Sequence, residues 1–276
     1  MFSLILATVE RTSEVERFLR FLDAQAHREF ELIVVDQNPD DRLEPVLAPY
    51  DGRFPISHLR SGRGLSRARN LGLRHVRGTL VGFPDDDCWY PASLLGAVAD
   101  HMQRNPQWGG VTGRSTDEAG HESGARFLPR DDTLTLATAW HAISYTIFLR
   151  REVVERVGEF DESLGVGAGT AFGSGEETDY VIRAIHAGYA VRFAADLVVH
   201  HPNPLREFDA VARSRGYKYG CGMGRVLAKH RYPPGYVLRS LARPVGGAAL
   251  SALQGRWAKA GYYLNVFLGR LRGLAG

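Results

Sequence analysis

Asp85, Asp86 and Asp87 are three consecutive carboxylates that follow the apolar run Thr79-Leu80-Val81-Gly82-Phe83 and Pro84. Such a run after a glycine, here Gly78, reads as a buried strand, so the acids sit at a strand end. Two like charges about 4 Å apart repel by roughly 4 kcal/mol at an effective dielectric near 20. A divalent cation, basic groups or open water must therefore offset the cluster. In extended backbone Asp85 and Asp87 point to one side and Asp86 to the other. That makes an Asp-x-Asp pair of hard oxygen ligands suited to Mg2+ or Mn2+.

The elements that must position these acids follow from the alternation of strand and helix signals. Strands are expected over Leu4–Thr8, Glu31–Val35 and Ile56–Leu59, then over the run that ends at the acids, from Val111, over 142–149 and over 189–199. Helices are expected after a capping box at Ser13-x-x-Glu16, with Val15, Phe18, Leu19, Leu22 and Ala26 on the buried face, over 65–77, from Pro91, and over 177–187 closed by Gly188. This is the pattern of an α/β domain with a largely parallel sheet. In such sheets ligands bind beyond the carboxyl ends of the strands. Thr8, Glu10, Asp36 and Asp85 to Asp87 all stand at those ends.

The 276 residues, 44% hydrophobic and 24% charged, suit one large globular domain or a domain with an appendage. Only Cys88 and Cys221 are present, which gives neither a disulfide framework nor metal-ligand spacing. The first residues read as a strand rather than a signal peptide, and a cytoplasmic protein is expected. The net charge of +3 conceals an asymmetry: after Asp209 there is no acid, while basic residues recur from Arg213 to Arg272. Leu238, Leu250, Leu253, Trp257, Leu264 and Leu268 interleave with them, too apolar a set for a nucleic-acid arm. A basic amphipathic helical tail on an anionic membrane surface is expected, with helices that merely dock on the main domain as the other reading. The boundary is placed at Pro204, giving a domain over 1–204 and a tail over 205–276.

The order of motifs resembles the family 2 inverting glycosyltransferases. The resembling pieces are residues 4–11, Glu31-Leu32-Ile33-Val34-Val35-Asp36, Gly64 to Gly72, Phe83-Pro84-Asp85-Asp86-Asp87, Val157 to Glu162, and Gly175-Glu176-Glu177-Thr178-Asp179. The resemblance covers about residues 3 to 202 and implies a GT-A, Rossmann-like fold and a nucleotide-diphosphate sugar donor. By position, Thr8, Glu10 and Asp36 would hold the nucleoside and Arg69 would lie near the base or diphosphate. Asp85 and Asp86 would belong to the nucleotide-sugar site, with Asp87 and Asp85 on Mn2+ or Mg2+ and His201, ahead of Pro202, close to the metal. Glu10 stands where the family usually has Asn, and Glu176-Glu177 where it usually has Glu-Asp.

Inversion implies a single displacement in which a carboxylate takes the acceptor proton while a metal stabilises the departing diphosphate. Glu177 is the expected base, with Glu176 second and Asp179 third. Gly165, Gly167, Gly169, Gly173 and Gly175 read as a mobile loop, which in the family covers the acceptor. The expected partners are a nucleotide-diphosphate sugar, a saccharide or lipid-linked saccharide acceptor, and the inner membrane face, with a role in cell-surface polysaccharide synthesis. Nucleotidyl transfer fits less well, because Thr8-Val9-Glu10-Arg11-Thr12 is no Gly-rich phosphate loop. A non-catalytic membrane-binding member of the fold is the remaining alternative.

Overall fold

A computed structural model of the chain describes residues 1–123, 127–203 and 207–276. It divides into two compact units. The first takes in Met1–Arg63, Arg67–Phe160 and Tyr180–Asn203, and the second Gly64–Ser66, Asp161–Asp179 and Pro204–Gly276.

The first unit is built on one mixed sheet in the order β3-β2-β1-β4-β7-β5-β8-β6. Its strands are β1 (Phe2–Thr8), β2 (Phe30–Asp36), β3 (Ile56–Arg60), β4 (Leu80–Gly82), β5 (Trp108–Thr116), β6 (Asp132–Thr133), β7 (Phe148–Arg150) and β8 (Ala190–His200). β1, β2, β3 and β4 run parallel, β5 and β8 run parallel, and the short β7 joins the two groups by antiparallel pairing. β1 and β2 are buried along nearly their whole length, which is why they read as continuous apolar runs rather than alternating ones. Helices α1 (Ser13–Asp23), α3 (Leu65–Leu73), α4 (Leu94–Arg104), α5 (Arg151–Val157) and α6 (Glu176–His186) alternate with the strands, together with the short α2 (Glu44–Leu47). Val15, Phe18, Leu19 and Leu22 of α1 and Leu94, Leu95, Val98 and Met102 of α4 close the core.

Four local expectations are corrected. Thr12, not Ser13, occupies the cap of α1, and the Ser13 hydroxyl donates to Glu14, so no capping box forms. Ala26 lies exposed beyond the helix end, and Gln25 is buried in its stead, donating to the carbonyls of Tyr90 and Pro91. Pro91 precedes α4 in a turn, where its carbonyl accepts from the Leu94 amide. The segment 142–149 is a strand only from Phe148. Ser144–Thr146 forms a 3-10 turn, because Ser144 turns toward Asp85 and Thr146 bonds to Thr112.

In the second unit α7 (Ala210–Lys229), α8 (Pro234–Leu253) and α9 (Trp257–Leu274) pack on one another. Glycines make the approach of α7 and α9 possible. A Cβ at Gly269 would lie 2.1 Å from the Tyr217 carbonyl oxygen, and one at Gly273 2.0 Å from that of Cys221. The basic tail thus folds as helices, with α9 packed on both α7 and α8.

Candidate active site

The register of the sheet brings the strand-end residues together. Thr8 pairs with Asp36 across β1 and β2, and Asp36 with Arg60 across β2 and β3. Beyond β4, a bridge pairs Ala7 with Asp85, and a second pairs Trp89 with His200. The second bridge carries the chain after the acids past the end of β8, and so sets Asp87 beside His201.

Asp85, Asp87 and His201 offer ligand atoms that all lie within 4.8 Å of one another. His201 Nε2 lies 3.0 Å from Asp87 Oδ1, and its Nδ1 lies 2.6 Å from the Pro202 carbonyl oxygen, so the ring is held at both nitrogens. It also stacks on Tyr145 at 4.7 Å and 7° between planes. His200 turns elsewhere, to Thr116 Oγ1 and the Trp89 ring. Asp85 accepts from Arg69 Nη2 at 3.1 Å and from the Ser144 hydroxyl. Arg69 is fully buried. Asp86 and Asp87 lie in a turn closed by the Cys88 amide on the Asp85 carbonyl, not in the extended backbone expected, so the two carboxylates share Arg11 rather than face apart; Asp86 also accepts from Thr8 Oγ1 at 2.7 Å.

Arg11, which the sequence did not single out, lies 2.6 Å from both Asp86 and Asp87. The acid cluster is thus offset by the guanidinium groups of Arg11 and Arg69, with the His201 ring hydrogen-bonded to Asp87. Burial works against ionisation of Asp87, but hydrogen bonds and charge from His201 and Arg11 prevail and hold it at about 2. Burial dominates at Asp86, which is pushed up to about 6 despite Arg11 and Thr8. Burial likewise raises Asp85. For His201 burial lowers the pKa, and the bond to Asp87 with the two nearby carboxylates more than restores it. The unequal pair Asp86 and Asp87 follows from depth and partners rather than from residue type.

At the carboxyl end of β2, beside Thr8, Asp36 is fully buried. Its Oδ1 accepts from the backbone and side-chain nitrogens of Asn38, and its Oδ2 meets His58 Nε2 at 3.0 Å and Arg60 Nη1 at 2.9 Å. A carboxylate has about four acceptor sites, and Asn38, His58 and Arg60 together meet those of Asp36. Glu10 has a left-handed backbone, φ 61°, and its exposed carboxylate pairs with Arg63. Trp89 is buried between His200 and the guanidinium of Arg17, 4.3 Å from its ring, so it is not open to a sugar.

The acidic motif of the second unit separates into distinct environments. Asp179 is fully buried and meets Lys229 Nζ at 2.7 Å and His230 Nε2 at 2.8 Å. Glu176 is also buried, its carboxyl close against the backbone at Gly165, where a Cβ would lie 3.0 Å from Glu176 Cδ. Glu177 is half-buried.

The profile of glycosyl transferase family 2 matches residues 3–158, from β1 through α5 and including the acid triplet. The chain belongs to that family. It is 24% identical over 288 residues to the glycosyltransferase AglE of Haloferax volcanii, covering 97% of this chain and 85% of that protein. Among solved structures, the mannosyltransferase PcManGT of Pyrobaculum calidifontis, in complex with GDP-Man and Mn2+, superposes with a TM-score of 0.68 at 17% identity, over 98% of this chain and 86% of that one. S. aureus TarS in complex with UDP-GlcNAc superposes at 0.61 with 15% identity, over 98% and 90%. The fold is of the GT-A type, and this family 2 member is a glycosyltransferase.

Proposed function

We propose that the protein moves a sugar from a nucleotide-diphosphate sugar to a saccharide hydroxyl, with inversion and with a divalent ion at Asp85, Asp87 and His201. The observation that carries this reading is the convergence of those three ligand atoms beyond the carboxyl ends of the strands. Two carboxylate oxygens and one imidazole nitrogen fit Mn2+ or Mg2+, and the bound ion supplies charge stabilisation for the departing diphosphate. Arg11 and Arg69 add fixed positive charge around the same acids. Asp36, His58 and Arg60 orient the nucleoside, with Thr8 and Glu10 on the adjoining strand end. Glu177 takes the acceptor proton: Asp179 is committed to Lys229 and His230 and Glu176 is buried, which leaves Glu177 the most accessible carboxylate of the motif.

A thermal-shift screen of UDP, GDP and dTDP with Mn2+ or Mg2+ tests the donor half. A ligand at a hundred times its Kd stabilises the folded state by about 2.7 kcal/mol, so the cognate diphosphate raises the melting temperature and EDTA abolishes the rise. If no nucleotide diphosphate shifts the transition in the presence of Mn2+, the reading fails.

The acceptor we propose is a lipid-linked saccharide at the inner membrane face, in the synthesis of a cell-surface polysaccharide. Supporting this is the outer surface of α8 and α9. Leu238, Val245 and Leu253 recur at helical spacing along α8, and Trp257, Leu264, Leu268 and Leu271 along α9, with Leu253 87% and Trp257 73% exposed. Arg239, Arg243, Arg256 and Arg272 flank them with no acid after Asp209. None of the described helices is long and apolar enough to cross a membrane, so the proposed binding is interfacial. Each basic residue near an anionic surface contributes about 1 kcal/mol before screening. The expected result is co-sedimentation with vesicles of anionic but not zwitterionic lipid, weakened by salt and by Leu253→Glu with Trp257→Glu. Indifference of the full chain to anionic vesicles at low salt removes the support for a lipid-linked acceptor.

A further inference from the structure

The Gly-rich segment between Asp161 and Asp179 begins and ends on the same cation. Lys229, the last residue of α7, places Nζ 2.7 Å from Asp161 Oδ2 and 2.7 Å from Asp179 Oδ1. His230 adds Nε2 2.8 Å from Asp179 Oδ1. On the other arm, Asp161 Oδ1 accepts from the amide and hydroxyl of Ser163 at 3.0 and 2.6 Å. Asp179 is fully buried and His230 nearly so, whereas Asp161 and Lys229 keep about a quarter of their side-chain surface. Burying a carboxylate is costly unless it is paired and hydrogen-bonded, so Asp179 holds Lys229 and His230 firmly, and Lys229 in turn holds the less buried Asp161.

Between these two anchors the chain depends on glycine. Gly165, Gly167, Gly169 and Gly175 all have φ between +75° and +100°. The segment is tied to α7 again where the Gly173 amide donates to the Lys218 carbonyl and the Ser174 hydroxyl to the Tyr219 carbonyl. The first turn of α6, with Glu176 and Glu177, lies directly inside the downstream anchor. We infer that Lys229 and His230 form a clasp across the neck of the Gly-rich loop, and that they act as positioning residues which fix the acidic turn and the loop for transfer. This rests on the reading of Glu177 as the base. The helical tail then contributes to the reaction itself, separately from any membrane contact made by α8 and α9.

The test uses the full-length protein and the variants Asp161→Asn, Lys229→Met and Lys229→Arg. Asp161→Asn opens the clasp on its more exposed side and leaves the buried Asp179 fully paired, so it keeps the test valid if Lys229→Met does not fold. Limited chymotrypsin digestion, mapped by mass, reads the loop through cleavage after Phe172. Nucleotide release from UDP-GlcNAc and GDP-Man with Mn2+ reads turnover. For Asp161→Asn and Lys229→Met the expected result is at least tenfold faster cleavage after Phe172 and a kcat lower by tenfold or more. KM for the sugar nucleotide should stay within twofold and the melting temperature within a few degrees. Lys229→Arg, which keeps a cation able to reach two carboxylates, should retain both properties. A purely structural role would change melting and leave the kcat of the folded fraction intact. Wild-type cleavage and kcat in Asp161→Asn would overturn the clasp. If Glu177→Gln turns over normally while the clasp variants behave as expected, the base assignment fails and the clasp stands.

Discussion

Asp87→Ala is expected to abolish Mn2+-dependent binding of the nucleotide-diphosphate donor while the protein stays folded. Asp87 is the carboxylate in this cluster held at about 2, and it contributes an oxygen to the set with Asp85 and His201. At the proposed site its loss would remove one ligand of three, and even disturbance of residues around a metal's ligands costs on the order of ten- to a hundredfold in affinity. A direct ligand should cost at least the upper end of that range. The fold should survive because neither partner is stranded: Arg11 keeps Asp86, and His201 keeps its stack on Tyr145 and its bond to the Pro202 carbonyl. Titration calorimetry of the cognate diphosphate, with Mn2+ and with EDTA, checks this. Equal donor affinity in wild type and variant, unaffected by EDTA, would remove the metal from the mechanism.

Glu177→Gln should separate binding from chemistry. The amide keeps the shape and hydrogen-bonding reach of the carboxylate but cannot accept a proton, and general base catalysis contributes about a hundredfold to ten-thousandfold. Turnover should therefore fall by on the order of a hundredfold or more, with donor affinity unchanged. Glu176 is the control. Buried with its carboxyl against Gly165, it is expected to support the turn, so that Glu176→Gln affects stability along with rate. If Glu177→Gln transfers normally and Glu176→Gln is inactive but folded, the base lies one residue earlier.

Much of the first unit was legible because its signals are local. The apolar runs of β1 and β2, the stripes of α1 and α4, and the acids after β4 each declare themselves within a few residues. Legibility failed where a long-range contact overrode a local preference. The strand-like run at 142–149 breaks into a 3-10 turn because Ser144 serves Asp85 and Thr146 serves Thr112. Arg11 gave no signal, since a single Arg after a first strand is ordinary until its neighbours are known. His58 and Arg60 became visible only when β3 paired with β2 and brought them to Asp36.

The amino-acid sequence alone determined the alternating α/β order, the place of the three acids at a strand end, and the acid-free tail, because apolar runs, helix period and charge composition need no partner; the expected alternation of Asp85 and Asp87 against Asp86 gave way to a turn that brings Asp86 and Asp87 to Arg11. The tertiary structure decided which histidine meets the acids. The sequence favoured His201 over His200 only by its place ahead of Pro202, and the pairing of Trp89 with His200 turns His200 toward Thr116 and His201 toward Asp87. It also decided what neutralises the cluster and what becomes of Asp179, which is buried on Lys229 and His230 at the end of a helix fifty residues further along the chain. Those outcomes depend on register and packing between segments far apart in sequence, and a carboxylate's depth and partners, more than its identity, set its charge and its role.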